Sequence, residues 1–161
     1  VHPNPDLFYL RLAVEIAQTQ SDDQHTQNGA VLVTACGWPV GAANAFPDGV
    51  VPDQSRYQRP TKYMYIEHAE RNAIYTAARR GLSTKGGKLY CPWFACTDCA
   101  RAIICAGITE VVGLAHDPAH GTWQDSIDCA DQMFTEAGVI YRRLQEKLGM
   151  TILRDGKEIE L

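Results

Sequence analysis

His68-Ala69-Glu70-Arg71-Asn72-Ala73-Ile74 and Cys96-Thr97-Asp98-Cys99, which begins 26 residues after Glu70, bring three metal ligands and one carboxylate into two short stretches. A histidine and a Cys-x-x-Cys pair suit Zn²⁺, and three protein ligands leave the fourth position to a water. That is the arrangement of a catalytic zinc and not of a structural one. Glu70 stands two residues from His68, near enough to move protons beside the metal without filling its last position. The chemistry expected is hydrolysis at an electrophilic carbon.

Both stretches read as helix starts. Composition turns helical from Glu67 to Arg80, with Gly81 as the stop, and Thr97 through Ala106 forms a further helix closed by Gly107. Residues three apart at a helix start face the same way, so both thiolates reach one metal. The positive ends of the helix dipoles favour thiolates there. A lone Cys-x-x-Cys also fits a redox pair or a structural zinc, with Cys91 as the fourth ligand of a closed site. A redox pair has no need of His68-Ala69-Glu70, and a structural ligand set has no need of Glu70.

Further out, Asp6 reads as the cap of a helix running to about Thr19, with Leu7, Leu10, Val14 and Ala17 on one face. Gly29 to Val33 and Trp38 to Ala43 read as a strand pair across a turn near Ala35 to Gly37. Residues 44–65, with Pro47, Gly49, Pro52 and Pro60, form a long irregular connection of the kind that serves or covers a site. Lys88 to Cys91 and Glu110 to Leu114 are strands. A helix from about Trp123 to Ala137 precedes a last strand around Val139 to Tyr141. Helices alternating with short apolar strands predict a layered α/β/α domain around a central mixed five-stranded sheet. One domain spans 1–161, with a core of about 6–142 and a C-terminal extension over 143–161. Asp155-Gly156 in that extension suits a terminal hairpin, although a loose tail fits nearly as well.

The chain has 161 residues, 45% hydrophobic and 21% charged, which is enough to bury a core without disulfides. No apolar run approaches the roughly 20 residues that cross a bilayer, and Val1 to Pro5 lack the pattern of a signal peptide. The net charge of −4 disfavours a broad nucleic-acid surface, yet one or two placed arginines suffice for a small anionic ligand. Of the six cysteines, Cys36, Cys91, Cys105 and Cys129 are expected to be buried small hydrophobes, and a reduced, cytoplasmic setting follows.

From Ala30 to about Tyr141 the order and motifs resemble the zinc-dependent cytidine and deoxycytidylate deaminase superfamily, whose pattern is His-x-Glu followed by Pro-Cys-x-x-Cys. Asp6 to Leu10, Gln27 to Val31, Gly41 to Asn44, His68 to Ile74, Ala106 to Val112 and Glu136 to Val139 resemble the deoxycytidylate deaminase branch. The resemblance implies His68, Cys96 and Cys99 on one Zn²⁺ per subunit, a catalytic water in the fourth position and Glu70 as proton shuttle. It also implies a homo-oligomer. Two departures stand out: Ala95 replaces the usual proline before the first zinc cysteine, and the 45–67 loop has no Cys or His for a second zinc.

The substrate expected is a free cytosine nucleotide, most simply dCMP converted to dUMP and ammonia, with another small aminated heterocycle as the alternative. A tRNA adenosine deaminase or a non-catalytic zinc-binding module fits less well. Asn44 is a candidate base or sugar contact, with a turn or strand-end residue as the alternative, and Asn28 either contacts the sugar in the same way or caps the loop before Gly29. The backbone N–H of Ala69 can help orient the reacting groups. Trp93 and Phe94 either wall the ring or pack in the core. Arg56, Arg59 and Lys62 are candidate phosphate ligands in the irregular loop, where a solvated charged face accounts for them as well. His116, Asp117, His120 and Trp123 read as a possible lid.

Overall fold

The computed structural model describes residues 4–115 and 123–161. Helix α1 (Pro5–Gln20) is followed by strands β1 (Gly29–Val33) and β2 (Pro39–Ala43). A 3₁₀ turn (Gln54–Arg56) and the short α2 (Lys62–Tyr65) interrupt the long connection to α3 (Ala69–Arg79). Then come β3 (Lys88–Tyr90), α4 (Thr97–Cys105), β4 (Glu110–Leu114), α5 (Gln124–Ala137) and β5 (Ile140–Leu144). The chain closes with β6 (Thr151–Arg154) and β7 (Lys157–Glu160), the terminal hairpin anticipated from Asp155-Gly156. Asp155 and Gly156 take φ of 50° and 75°, as a two-residue hairpin turn of this hand requires. The cap of α1 differs from the expectation. Asn4 Oδ1 accepts from the Asp6 N–H at 3.0 Å, and Pro5 opens the helix, where its missing N–H costs nothing.

The main sheet has the order β2-β1-β3-β4-β5. Strand β1 runs antiparallel to both β2 and β3, whereas β3, β4 and β5 are mutually parallel. Successive side chains point to opposite faces, which sorts the core into two layers. Ala30, Leu32, Leu89 and Val111 meet α3, α4 and α5 through Ala73, Ile103 and Phe134. Val31, Tyr90 and Val112 meet α1 and the terminal hairpin through Leu10, Val14 and Ile152. The expected α/β/α sandwich is thus observed, with the hairpin completing the α1 side.

Strand polarity decides where a site can form. The start of β1 and the ends of β2, β3 and β4 all lie at one end of the sheet, because β1 alone is reversed. Asn28, Asn44 and the segment 91–96 therefore emerge together. At the opposite end lie the β1–β2 turn and the helix-to-strand connections, with Gly37 and Gly138 at positive φ. Among the described residues, no helix is long and apolar enough to cross a membrane.

Candidate metal centre and active-site cleft

His68 and Cys96 occupy the N-cap positions of α3 and α4, and neither uses its side chain to cap its helix. Their extended backbones (φ −72° and −78°) turn both side chains toward the gap between the two helix starts. Cys99, fully buried in the first turn of α4, enters from the same side. His68 Nδ1 lies 3.5 Å from Cys96 Sγ and 3.5 Å from Cys99 Sγ. Zinc bond lengths of about 2.3 Å to sulfur and about 2.0 Å to nitrogen, at tetrahedral angles, require separations of about 3.5 Å. The donor set therefore fits Zn²⁺ in both chemistry and spacing. Among the described residues, this triad is the one group of His, Cys, Asp or Glu close enough to share an ion.

The electrostatics favour a thiolate at Cys96. The Cys96 thiol is drawn down to about 4, by the hydrogen bond from Cys99 and, against burial, by His68. Cys99 is pushed up by the Cys96 sulfur and by burial. Burial disfavours charge on His68, yet the neighbouring Cys96 sulfur and Glu70 hold its pKa above the usual value. Glu70 is 3% exposed, and burial raises its carboxyl above the ordinary glutamate range. A carboxyl so placed holds a proton more readily than one in water, as a proton carrier must.

Asn28 joins Glu70 to the sheet. Its Nδ2 donates to Glu70 Oε2 at 3.4 Å, while its Oδ1 accepts from the Gly29 N–H at 3.0 Å and from the Cys91 thiol at 3.5 Å. Cys91 is thereby committed away from the triad. Asn44 is buried and lines the cleft, and its side chain braces the loop before β1. Its Oδ1 accepts from Ser21 and from the Asn28 N–H, and its Nδ2 donates to the Thr26 carbonyl at 2.7 Å. Ala69 is buried at the first position of α3, where N–H groups have no intrahelical partner.

A cleft opens over Glu70 and is lined by Asn28, Asn44, His68, Trp93, Phe94 and Cys96 among others. Trp93 forms part of its wall, and its indole N–H donates to the Gln27 carbonyl at 2.9 Å. Phe94 meets Tyr141 edge to face, and Tyr141 Oη accepts from the Ala95 N–H at 3.4 Å. A proline at 95 would have no such N–H, so this hydrogen bond depends on the alanine found here.

The three candidate phosphate ligands separate. Arg56 lies outside the cleft lining; it donates to the Val51 carbonyl at 2.8 Å and stacks 4.4 Å over the Tyr65 ring. Lys62 reaches the cleft but is 3% exposed and bound to Asp23 at 2.5 Å. Arg59 is at the mouth, paired with Asp155. Trp123 and Ile127 line the cleft, whereas His116, Asp117 and His120 lie outside the described residues. Sequence reading missed Asp23, Thr26, Arg154 and Asp155. Only the Asp155-Gly156 turn was visible locally, and its ion pair with Arg59 spans 96 residues. The remaining cysteines also differ from expectation: Cys91 is buried, but Cys36, Cys105 and Cys129 are exposed on a turn and on the outer faces of α4 and α5.

An α/β/α sheet carrying an open His/Cys/Cys zinc set beside a buried glutamate defines the class of zinc-dependent hydrolytic deaminases. Within it, the chain belongs to the family of the cytidine and deoxycytidylate deaminase zinc-binding region, whose profile matches residues 3–115. It is 33% identical to the deoxycytidylate deaminases of Pongo abelii and Homo sapiens, over 91% of this chain and 83% of theirs in each case. The dCMP deaminase of cyanophage S-TIM5 in its apo form superposes with a TM-score of 0.68 at 25% identity. That match covers 89% of this chain and all of the other.

Proposed function

We propose that this protein hydrolyses the exocyclic amine of a free cytosine nucleotide, dCMP, to give dUMP and ammonia. Glu70 supports the reading most directly: a buried carboxyl beside the ligand triad, open to a cleft large enough to admit a ring. His68, Cys96 and Cys99 would hold one zinc ion per subunit. When bound, that ion supplies the Lewis acidity that makes a water nucleophilic near neutral pH.

The protein's own groups do the rest. Glu70 accepts a proton as the water oxygen attacks the amino-bearing C4 of the ring, and it delivers that proton to the adjacent ring nitrogen, N3. As the C–N bond breaks, Glu70 hands the remaining proton of the attacking oxygen to the departing amine, leaving a carbonyl and ammonia. Asn28 holds the carboxylate in place between these transfers. Trp93 and Phe94 offer apolar walls for the ring, and the Ala69 N–H is placed to orient the reacting oxygen or amine.

The nucleotide follows from the relatives, which are deoxycytidylate deaminases over most of their length. One observation favours the alternative of an uncharged nucleoside or heterocycle: Arg59 and Lys62 at the cleft already face carboxylates. Ammonia release from dCMP, deoxycytidine, cytidine and guanine separates the two. Wild type should be most active on dCMP, and Glu70→Gln should lose at least about 10²-fold in kcat while keeping its zinc. Turnover unaffected by that change would refute the mechanism.

Zinc analysis should return one ion per subunit. Self-association is supported by large apolar side chains at the surface, Met64 and Tyr63 on α2 and Tyr75 on α3; sedimentation showing only an 18 kDa species would reject it. The six cysteines are thiols and none forms a disulfide, which supports a reducing, cytoplasmic setting.

A further inference from the structure

The terminal hairpin lies outside the residues matched by the family profile, yet its tip forms part of the cleft mouth. It is held there by the loop before β1. The Gln27 N–H donates to the Leu153 carbonyl at 2.9 Å, Gln27 Oε1 accepts from the Leu153 N–H at 2.9 Å, and the Gly156 N–H donates to the His25 carbonyl at 2.8 Å. Gln27 also accepts the Trp93 indole N–H, so hairpin and cleft wall share one anchor. From this base Arg154 lays its guanidinium 4.4 Å over the Trp93 ring. Asp155, next along the chain, crosses the mouth to pair with Arg59.

The cations near the cleft differ in what they can still bind. Lys62 is committed to a buried carboxylate, and separating them would strand two charges away from water. Arg56 is turned to Tyr65 and Val51. The Arg59–Asp155 pair, by contrast, is 47% and 53% exposed, and exposed pairs of this kind contribute little to stability. A dianionic phosphate offers Arg59 more charge and a fork of two oxygens in place of one carboxylate. Stacking on Trp93 keeps the Arg154 guanidinium ordered in advance, so less side-chain freedom is lost on binding.

Resting on the nucleotide reading above, we propose that the terminal hairpin carries the substrate's phosphate subsite: Arg154 and Arg59 grip the phosphomonoester, and Asp155 is the counter-ion that it displaces from Arg59. The exchange makes the mouth selective by charge. With an uncharged nucleoside, Asp155 keeps Arg59 and the second anchor is never formed.

Steady-state kinetics of the zinc-loaded enzyme on dCMP and on deoxycytidine test this. In wild type, kcat/KM should favour dCMP. Arg154→Ala and Arg59→Ala should each shrink that preference about 10- to 100-fold, mainly through KM for dCMP. Arg154→Lys, which keeps the charge but not the fork, should fall between. Asp155→Asn, which tolerates the positive φ at this position, should lower KM for dCMP several-fold. Inorganic phosphate should inhibit wild type competitively against dCMP, and more weakly in both alanine variants. A dCMP preference that survives intact in both zinc-replete alanine variants overturns the subsite and leaves the nucleotide reading standing. Equal kcat/KM for dCMP and deoxycytidine in wild type overturns both.

Discussion

Gly29 is the first residue of β1 and packs against helix α1 with no room for a side chain. A Cβ at this position would stand 2.1 Å from the Ala13 carbonyl oxygen and 2.8 Å from the Ala17 nitrogen. Both obstacles are backbone, so no rotamer change relieves them, and helix and strand have to part by about 1 Å to regain ordinary contact. Overpacking of this kind costs about 1–3 kcal/mol, so Gly29→Ala should lower the urea midpoint measurably. The larger effect should appear in catalysis. Asn28, the preceding residue, reaches Glu70 at 3.4 Å, a hydrogen bond with no slack. Gly29 also pairs with Ala43, which leads directly into Asn44, so both amides move with the strand. A misplacement of about 1 Å near the reacting groups can cost about 10²-fold in rate. We therefore expect a loss of that order in kcat for a variant that adds one methyl group on the far side of the sheet from the metal ligands. Turnover measured at full zinc occupancy, beside a denaturation curve, checks both halves. A variant with lowered stability but undiminished kcat would refute the reasoning, because it would mean that α1 yields and β1 does not.

Asp23→Asn should cost about 3–5 kcal/mol in chemical denaturation, since Lys62 would remain 3% exposed without its carboxylate; a cost under about 1 kcal/mol would show that Lys62 reaches water easily. Tyr141→Phe removes the acceptor for the Ala95 N–H and should cost about 1 kcal/mol, and Ala95→Pro, which needs no acceptor, should make the same change nearly silent. At the far edge of the sheet, Arg142 holds the Asp6 carboxyl below its usual 3.8, and Lys88 and Arg142 outweigh burial to hold Glu110 below 4.5. The stability these groups contribute is complete above the unfolded-state values and is lost as pH falls through the lower folded ones. Arg142 is 38% exposed, so the effect should stay below about 1 kcal/mol. Denaturation midpoints of wild type and Arg142→Met should converge between about pH 5 and pH 2, and parallel curves would exclude the linkage.

The chemistry was legible in the sequence because it is local. His68 and Glu70 are two residues apart, Cys96 and Cys99 three, and each pair sits on one helix start where spacing fixes direction. The strands were legible for the same reason, through short apolar runs between glycines. The cleft mouth was not. Arg154 meets Trp93 and Asp155 meets Arg59 only after the hairpin folds back on the loop before β1, and no local pattern encodes that return. Lys62 looked like a solvated loop cation because Asp23, its partner, lies 39 residues earlier. Charge alone could not separate Arg56, Arg59 and Lys62; their partners do.

The end of the sheet remote from the metal ligands includes the turn between β1 and β2 and the turn before β5, where a side chain at Gly37 or Gly138 would meet nothing within 4 Å. Strands β1, β3 and β4 are paired on both sides and β2 and β5 on one, so each strand reaching the active end is tied to a neighbour along its length. The molecule is thus a lever with one end clamped to chemistry and the other idle. Peptide insertions, fluorophores on Cys36 or surface tethers placed at the idle end should leave turnover as it is, whereas the same additions beside Thr26 or Arg154 would sit in the substrate's path. For anyone building a sensor or an immobilised catalyst from this scaffold, attachment belongs at the 35–37 turn.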